Sequence, residues 1–253
     1  MRCVPCVVML GMLVLVAVAA GAQEEDPTSF VYGIYYECDM DSQWLADQLV
    51  EDALAPAFDA AVEAGAITAW GWLAHHTGGA WRRALYYSAP TIEGLLGALD
   101  SVFDAAEKEH PEAGQALNKI CGRHEDYIWQ WGTGSSPAGR LENRGEAAFS
   151  VYMSCEMGRE ERADEIVEKV FAPIYDKQVK AGKLVSWGWL KHFVGGTWRR
   201  LAVMTAADHV TLLQVRNAVI EEMAAKHGET AEEFDEICGS HQDYMWDIVF
   251  ETP

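Results

Sequence analysis

The sequence is poor in positively charged residues. Its 253 residues include 19 Lys and Arg against 39 Asp and Glu, so the formal net charge is −20 at pH 7. A surface with that balance repels the phosphates of nucleic acid and of anionic lipid. We therefore expect no nucleic-acid partner.

The sequence also lacks the short motifs that mark several large enzyme classes. It has no Gly-rich phosphate loop, no His-Glu-x-x-His and no Gly-x-Ser-x-Gly. These patterns carry phosphate binding, zinc-dependent hydrolysis and acyl transfer. We therefore predict no cofactor and no metal centre.

Long apolar runs are scarce, and the one that is present lies at residues 4–20, directly after Arg2 and Cys3. The small residues Ala20, Gly21 and Ala22 follow, as at a signal-peptidase site. We predict that residues 1–22 are a cleaved signal peptide, and that the mature protein is soluble, secreted or periplasmic, and free of membrane contact. An uncleaved anchor is the alternative, because the run is nearly long enough to span a bilayer.

Cysteine is also uncommon. Cys3 and Cys6 lie in the predicted signal peptide, and the other four are Cys38, Cys121, Cys155 and Cys238. An even number of Cys residues in an exported protein indicates disulfide bonds. Four residues allow three pairings, and the count does not choose between them.

The chain carries an internal repeat with a shift of 117 residues. "WGWLAHHTGGAWRR" occupies residues 70–83 and "WGWLKHFVGGTWRR" occupies residues 187–200. The same shift relates Cys38 to Cys155 and Cys121 to Cys238, and no gap is needed from about residue 31 to 131. The pattern predicts a signal peptide followed by two copies of one domain, at 27–131 and 147–250, with a Gly- and Ser-rich linker at 132–146.

Each copy has the residue patterns of four strands and two helices. In the first copy the strands are predicted at 30–38, 66–76, 80–89 and 125–131, and the helices at 41–65 and 91–110. Pro56 should kink or break the first helix, Thr91 should cap the second, and Gly78-Gly79 should form a type I′ turn with positive φ at both residues. The order β-α-β-β-α-β predicts an α+β fold of two ferredoxin-like units, each with strand order 4-1-3-2.

This topology favours one of the disulfide pairings. The end of strand 1 lies beside the start of strand 4, so Cys38 should reach Cys121 and Cys155 should reach Cys238. Free buried thiols and pairing between the copies remain the alternatives.

A sheet with helices on one side only leaves its other face bare, and two copies can cover those faces by packing together. In this arrangement, in the duplication and in the entry to strand 2 at Gly65-Ala66-Ile67 and Trp70, the chain resembles the dimeric α/β-barrel superfamily. That superfamily includes antibiotic-biosynthesis-type monooxygenases and EthD-like and NIPSNAP-like proteins. The resemblance implies one intramolecular barrel in a monomer with internal pseudo-symmetry.

The hairpin motif predicts which side chains line that barrel. Side chains alternate between the faces of a strand, and helices pack well on small and aliphatic groups, so we expect Gly71, Leu73 and Ala84 under the helices. The Trp-rich face should then line the interior and bind a ligand. The predicted ligand-binding residues are Trp70, Trp72, His76, Trp81, Arg83, Trp187, Trp189, Lys191, Trp198 and Arg200.

Histidine supplies the other candidates. His75 and His192 each face an Arg that should lower the pKa of the imidazole, and they could serve as acids or bases or lie exposed at the rim. The pairs His124-Asp126 and His241-Asp243 could hold a metal or hydrogen-bond locally.

The sequence leaves three functions open. The first is an exported protein that binds a small aromatic or apolar ligand, with an anionic group favoured by the predicted interior Arg and Lys. The second is a cofactor-independent monooxygenase-like enzyme that uses His76, Arg83, Lys191 and Arg200. The third is a non-catalytic interaction module with a filled interior.

Overall fold

The structure is a computed structural model that describes residues 29–135 and 145–252. The predicted signal peptide and residues 136–144 of the predicted linker lie outside this part of the chain. Within it, no helix combines the length and the apolar character needed to cross a membrane.

Eight antiparallel strands close into a barrel. They are β1 (Phe30–Glu37), β2 (Ala69–Thr77), β3 (Arg83–Ala89), β4 (Arg123–Ser135), β5 (Ala147–Ser154), β6 (Ser186–Val194), β7 (Arg200–Ala206) and β8 (Ser240–Thr252). The order around the barrel is β1-β3-β2-β8-β5-β7-β6-β4. Each half therefore has the expected strand order 4-1-3-2, and closure leaves no unpaired strand edge.

The halves are joined through backbone hydrogen bonds rather than by stacking of two separate sheets. β2 pairs with β8 and β4 pairs with β6, which we call the β2–β8 seam and the β4–β6 seam. β4 continues to Ser135, so residues 132–135 of the predicted linker are strand, and Ser135 pairs with Trp187. Both seams depend on the length of these last strands, which extend past the pairing with β1 or β5.

In residues 29–135 and 145–252, seven α-helices surround the barrel. They are α1 (Gln43–Leu49), α2 (Ala55–Glu63), α3 (Ile92–Glu109), α4 (Ala113–Ile120), α5 (Glu160–Ile166), α6 (Ala172–Lys180) and α7 (His209–Cys238). The predicted break at Pro56 is confirmed: a π-helical turn at Val50–Leu54 separates α1 from α2, and Pro56 lies at the start of α2. Proline has no N–H to donate, which explains why the regular helical pattern is interrupted there. The predicted cap is also confirmed, since Thr91 Oγ1 accepts a hydrogen bond from Gly94 N at 3.1 Å.

Both predicted disulfides are present. Cys38 is bonded to Cys121 and Cys155 to Cys238, and each pair is separated by 83 residues. In the chain-entropy model each cross-link of that span stabilises the fold by about 4.5 kcal/mol.

The predicted assignment of the hairpin faces is wrong. Trp70 and Trp72 are buried against the helices, where Trp70 stacks on Phe58 with ring centroids 5.1 Å apart. Each indole N–H finds an acceptor on a helix: Trp70 Nε1 donates to Asp59 at 2.8 Å and Trp72 Nε1 to Asp47 at 2.7 Å.

The second half repeats the arrangement. Trp187 Nε1 donates to Asp176 and Trp189 Nε1 to Asp164, each at 2.8 Å. The helices therefore supply the carboxylates that accept hydrogen bonds from the buried indoles. For this reason the helices pack on the Trp-rich face of each hairpin and not on its aliphatic face.

The predicted interior cations also lie on the helix side. Arg83 donates to both carboxylate oxygens of Asp47, each at 2.6 Å, and Arg200 pairs in the same way with Asp164 at 2.7 and 2.9 Å. Lys191 Nζ lies 3.4 Å from Asp164 Oδ2. These cations hold the helices against the barrel and do not point into its interior.

Candidate functional site

One end of the barrel interior is filled by aromatic rings, which we call the aromatic plug. Its members are Tyr35, Trp81, Tyr127, Trp129, Tyr152, Trp198, Tyr244 and Trp246. Trp81 stacks on Tyr35 at 4.4 Å and on Tyr244 at 4.9 Å between ring centroids, and Tyr152 meets both Tyr35 and Trp81 edge to face. Trp81 and Trp198, both from the hairpin motif, thus belong to the plug.

The glycine pair explains how these residues enter. Gly78 has φ of +140°, and a Cβ on Gly79 would lie 2.3 Å from the Tyr244 hydroxyl. The hairpin tip therefore rests on a Tyr of the opposite half, whose hydroxyl accepts a hydrogen bond from Trp81 N at 3.4 Å. Gly79 does not have a positive φ, so the predicted type I′ turn is wrong.

The other end of the interior is a cavity of about 830 Å³ with walls from all eight strands. This volume is in the range of pockets that hold small organic molecules. Its apolar walls include Val31, Leu73, Trp131, Leu201, Val203 and Ile248.

Two glycines leave room for aromatic side chains that line the cavity, Tyr86 and Trp131. A Cβ on Gly71 would lie 2.5 Å from the Tyr86 ring, and one on Gly188 would lie 2.6 Å from the Trp131 ring. Tyr86 also hydrogen-bonds Glu251, which belongs to the cavity lining. Trp131, at 36% exposure, offers an accessible aromatic surface in this cavity.

Hydroxyl groups lie where the cavity meets the plug. Tyr35 Oη accepts a hydrogen bond from Trp129 Nε1 at 3.3 Å, and the rings of Tyr35 and Tyr152 meet edge to face with centroids 5.2 Å apart. Burial raises the pKa of Tyr35 to about 12 and raises the pKa of Tyr152 well above its usual value. Both phenols therefore stay protonated near neutral pH and act as hydrogen-bonding groups rather than bases.

The cavity has few other ionisable groups. Among the described residues that form its walls, none is a His, Lys or Arg, and Glu251 supplies the one carboxylate. The arrangement suits an uncharged, flat molecule better than the anionic ligand expected from the sequence.

His75 and His192 border the plug instead of the cavity. Their Nδ1 atoms lie 2.8 Å from Arg82 Nη1 and 2.9 Å from Arg199 Nη1. Because an Arg can only donate, each neutral imidazole carries its proton on Nε2, which has no hydrogen-bond partner among the described residues. Burial, followed by the adjacent Arg, lowers the pKa of both imidazoles, so the predicted direction is confirmed.

The two His-x-Asp pairs form local hydrogen bonds. His124 Nδ1 lies 3.0 Å from Asp126 Oδ1, and His241 Nδ1 lies 2.7 Å from Asp243 Oδ1. These distances agree with local hydrogen bonding, which is one of the two roles predicted for the pairs.

Of the ten predicted ligand-binding residues, Trp187 lines the cavity, Trp81 and Trp198 belong to the plug, and His76 lies on the outer face. Sequence reasoning missed Tyr35, Tyr86, Trp129, Trp131 and Tyr152. The alternation of Tyr127, Trp129 and Trp131 in the last strand was a usable signal, because residues two apart share a face.

No family model matches the sequence, and no curated protein matches it. Solved structures do match the fold. They include a proposed monooxygenase from Lactobacillus acidophilus NCFM, with a TM-score of 0.62 and 8% identity over 89% of this chain and 96% of that one. A proposed monooxygenase from Fusobacterium nucleatum has a TM-score of 0.62 and 9% identity over 89% and 94% of the two chains.

An anthrone oxidase-like protein has a TM-score of 0.56 and 12% identity, over 90% of this chain and 93% of that one. The fold is the dimeric α/β barrel. Identities this low show the fold and no more, and a barrel of this kind hosts many functions.

Proposed function

We propose that this protein binds a small, flat, uncharged aromatic or apolar molecule inside the barrel. The observation that supports this most directly is the cavity of about 830 Å³, with Trp131 on its wall and the Tyr35–Tyr152 pair at its inner end. A ring can stack on the indole, and the phenols can hydrogen-bond a carbonyl or hydroxyl of the ligand.

A fluorescence titration with 2-naphthol tests this proposal. Replacing Trp131 by Ile imports the residue that the other half has at the equivalent position, Ile248, and should weaken binding by about tenfold through lost ring contacts. Replacing Ala84 by Leu imports the equivalent Leu201 and should weaken binding by reducing the cavity.

The matched control is Trp44→Glu, because Trp44 is 56% exposed on α1 and its equivalent in the other half is Glu161. This variant should bind 2-naphthol as the unchanged protein does. Equal affinities for all four proteins would reject the cavity as the binding site.

A cofactor-independent monooxygenase-like activity is the second candidate. The likeness in fold to proposed monooxygenases and to an anthrone oxidase-like protein favours it. The buried phenols could stabilise a developing oxyanion by hydrogen bonding, although the described residues of the cavity walls include no His. Oxygen consumption in the presence of anthrone, lost in Tyr35→Phe, would support an enzyme.

We also infer that the chain arose by tandem duplication of a ferredoxin-like unit and acts as a monomer, since the barrel closes within one chain. Two disulfides suit an oxidising compartment outside the cytoplasm. Mass spectrometry of the exported protein would test cleavage after residue 22.

A further inference from the structure

Two imidazoles and a carboxylate converge on the outer face of the barrel at the β2–β8 seam. Asp247 Oδ1 lies 3.1 Å from His76 Nδ1 and 2.7 Å from His209 Nε2. The two imidazole rings stack with centroids 3.8 Å apart. One ligand atom from each residue can be chosen so that all three lie within 4.8 Å of one another.

Each of the three residues is placed there by a different element. The pairing of β2 with β8 shifts register between His75 and Thr77, and His76 lies in this irregularity. A bulge of this kind changes the direction of a side chain. Trp246 belongs to the plug, so strand alternation places Asp247 outside the barrel, and His209 is the first residue of α7.

The equivalent β4–β6 seam has none of these groups. Its equivalents are Phe193 for His76, Ile92 for His209 and Gln130 for Asp247. Phe193 packs edge to face against Phe30 with ring centroids 5.1 Å apart. The β4–β6 seam closes without these His and Asp residues. Closure of the barrel therefore does not explain their presence at the β2–β8 seam.

We propose that His76, His209 and Asp247 bind one divalent transition-metal ion of the Zn²⁺ class. Two imidazole nitrogens and one carboxylate oxygen are a donor set that such ions take in proteins, with the remaining positions filled by water. Metal–ligand bonds of about 2.0 Å in tetrahedral geometry place the ligand atoms about 3.3 Å apart. The observed separations from Asp247 are close to this value, and the two stacked imidazoles must turn so that a nitrogen of each points at the ion.

The surroundings allow an ion to enter. The side chains of His76 and Asp247 are 44% and 51% exposed, while His209 is 20% exposed. The formal net charge of −20 attracts cations from solution. The cluster lies on the outside of the barrel, separate from the cavity, so this proposal and the proposed ligand function can fail independently.

Isothermal titration of the tag-free, metal-stripped protein with Zn²⁺ tests the proposal. The variants His76→Phe, His209→Ile and Asp247→Gln each import the residue of the other seam. His241→Ala is the control, because it removes a His from a pair with one carboxylate. We expect one tight Zn²⁺ site, at least about tenfold weaker in each of the three variants and unchanged in the control.

Three further measurements distinguish the possible outcomes. Co²⁺ substituted for Zn²⁺ should give visible absorption bands from coordination at this site, and circular dichroism should show that each variant is folded. Mg²⁺ should not compete, since it prefers oxygen ligands. Zn²⁺ binding that is absent, or that persists in the triple variant, would overturn the proposal.

Discussion

Trp72 and Arg83 share one acceptor, the carboxylate of Asp47. The sequence predicted that both side chains lie on one face of the hairpin, and this is confirmed, but it placed that face inside the barrel. The error arose because the sequence pattern shows which residues share a face and not which face the helices cover. That choice depends on carboxylates of α1 and α2, and the hairpin pattern alone does not show that these carboxylates accept from the indoles.

This shared contact gives a prediction for stability. Asp47→Asn removes the charge that pairs with the buried Arg83, and we expect the free energy of unfolding to fall by about 3 kcal/mol. Chemical denaturation measures it. Asp52→Asn is the control, since Asp52 is exposed on the adjoining π-helical turn and should change little. Equal effects of the two substitutions would contradict the assignment.

His75 and His192 make stability depend on pH. Their pKa values are lower in the folded protein than in the unfolded chain, so the unfolded chain binds more protons in mildly acidic solution. This contribution is complete above the unfolded pKa of about 6.5 and is lost progressively as the pH falls below that value. Denaturation should give a lower free energy of unfolding at about pH 5.5 than at about pH 7.5. The double variant His75→Gln, His192→Gln should show a smaller difference between the two pH values. An unchanged pH dependence in that variant would count against this role.

At the scale of elements, the strands, the helix break and the cap of α3 follow from local patterns. Period-two alternation gives the strands, Pro56 gives the break, and the hydroxyl of Thr91 gives the cap. α4 was missed because its eight residues are few and include Gly114. The extension of β4 was missed because its Gly- and Thr-containing end resembles a linker, and only pairing with β6 makes it a strand.

The caps of α3 and α7 give a matched test. Thr91 and Asp208 are at equivalent positions, and each accepts a hydrogen bond from the third residue that follows it. Thr91→Ala should lower the free energy of unfolding by about 1 kcal/mol, whereas Thr91→Asp should be close to neutral because Asp caps equally well. Thermal unfolding of both variants measures the difference. A Thr91→Asp protein as unstable as Thr91→Ala would show that the cap contributes little.

At the scale of the molecule, the repeat predicted the duplicated strand order and the disulfides, because equivalent residues must occupy equivalent places. It could not predict the metal-ligand cluster, because His76, His209 and Asp247 are far apart in sequence and their equivalents in the other half are not His or Asp. Nor could it predict the cavity. The plug fills one end of the interior, and Gly71 and Gly188 let rings lie flat at the other.

The most direct test of ligand binding in this cavity is a ¹⁵N-edited nuclear magnetic resonance titration that follows the indole N–H signals of the ten Trp residues. On addition of 2-naphthol, the signals of Trp129 and Trp131 should shift, because both rings line the cavity. The signals of Trp70, Trp72 and Trp189 should stay in place, because their indoles donate to helix carboxylates outside the barrel. Shifts confined to these three signals, or no shift at all, would contradict the account.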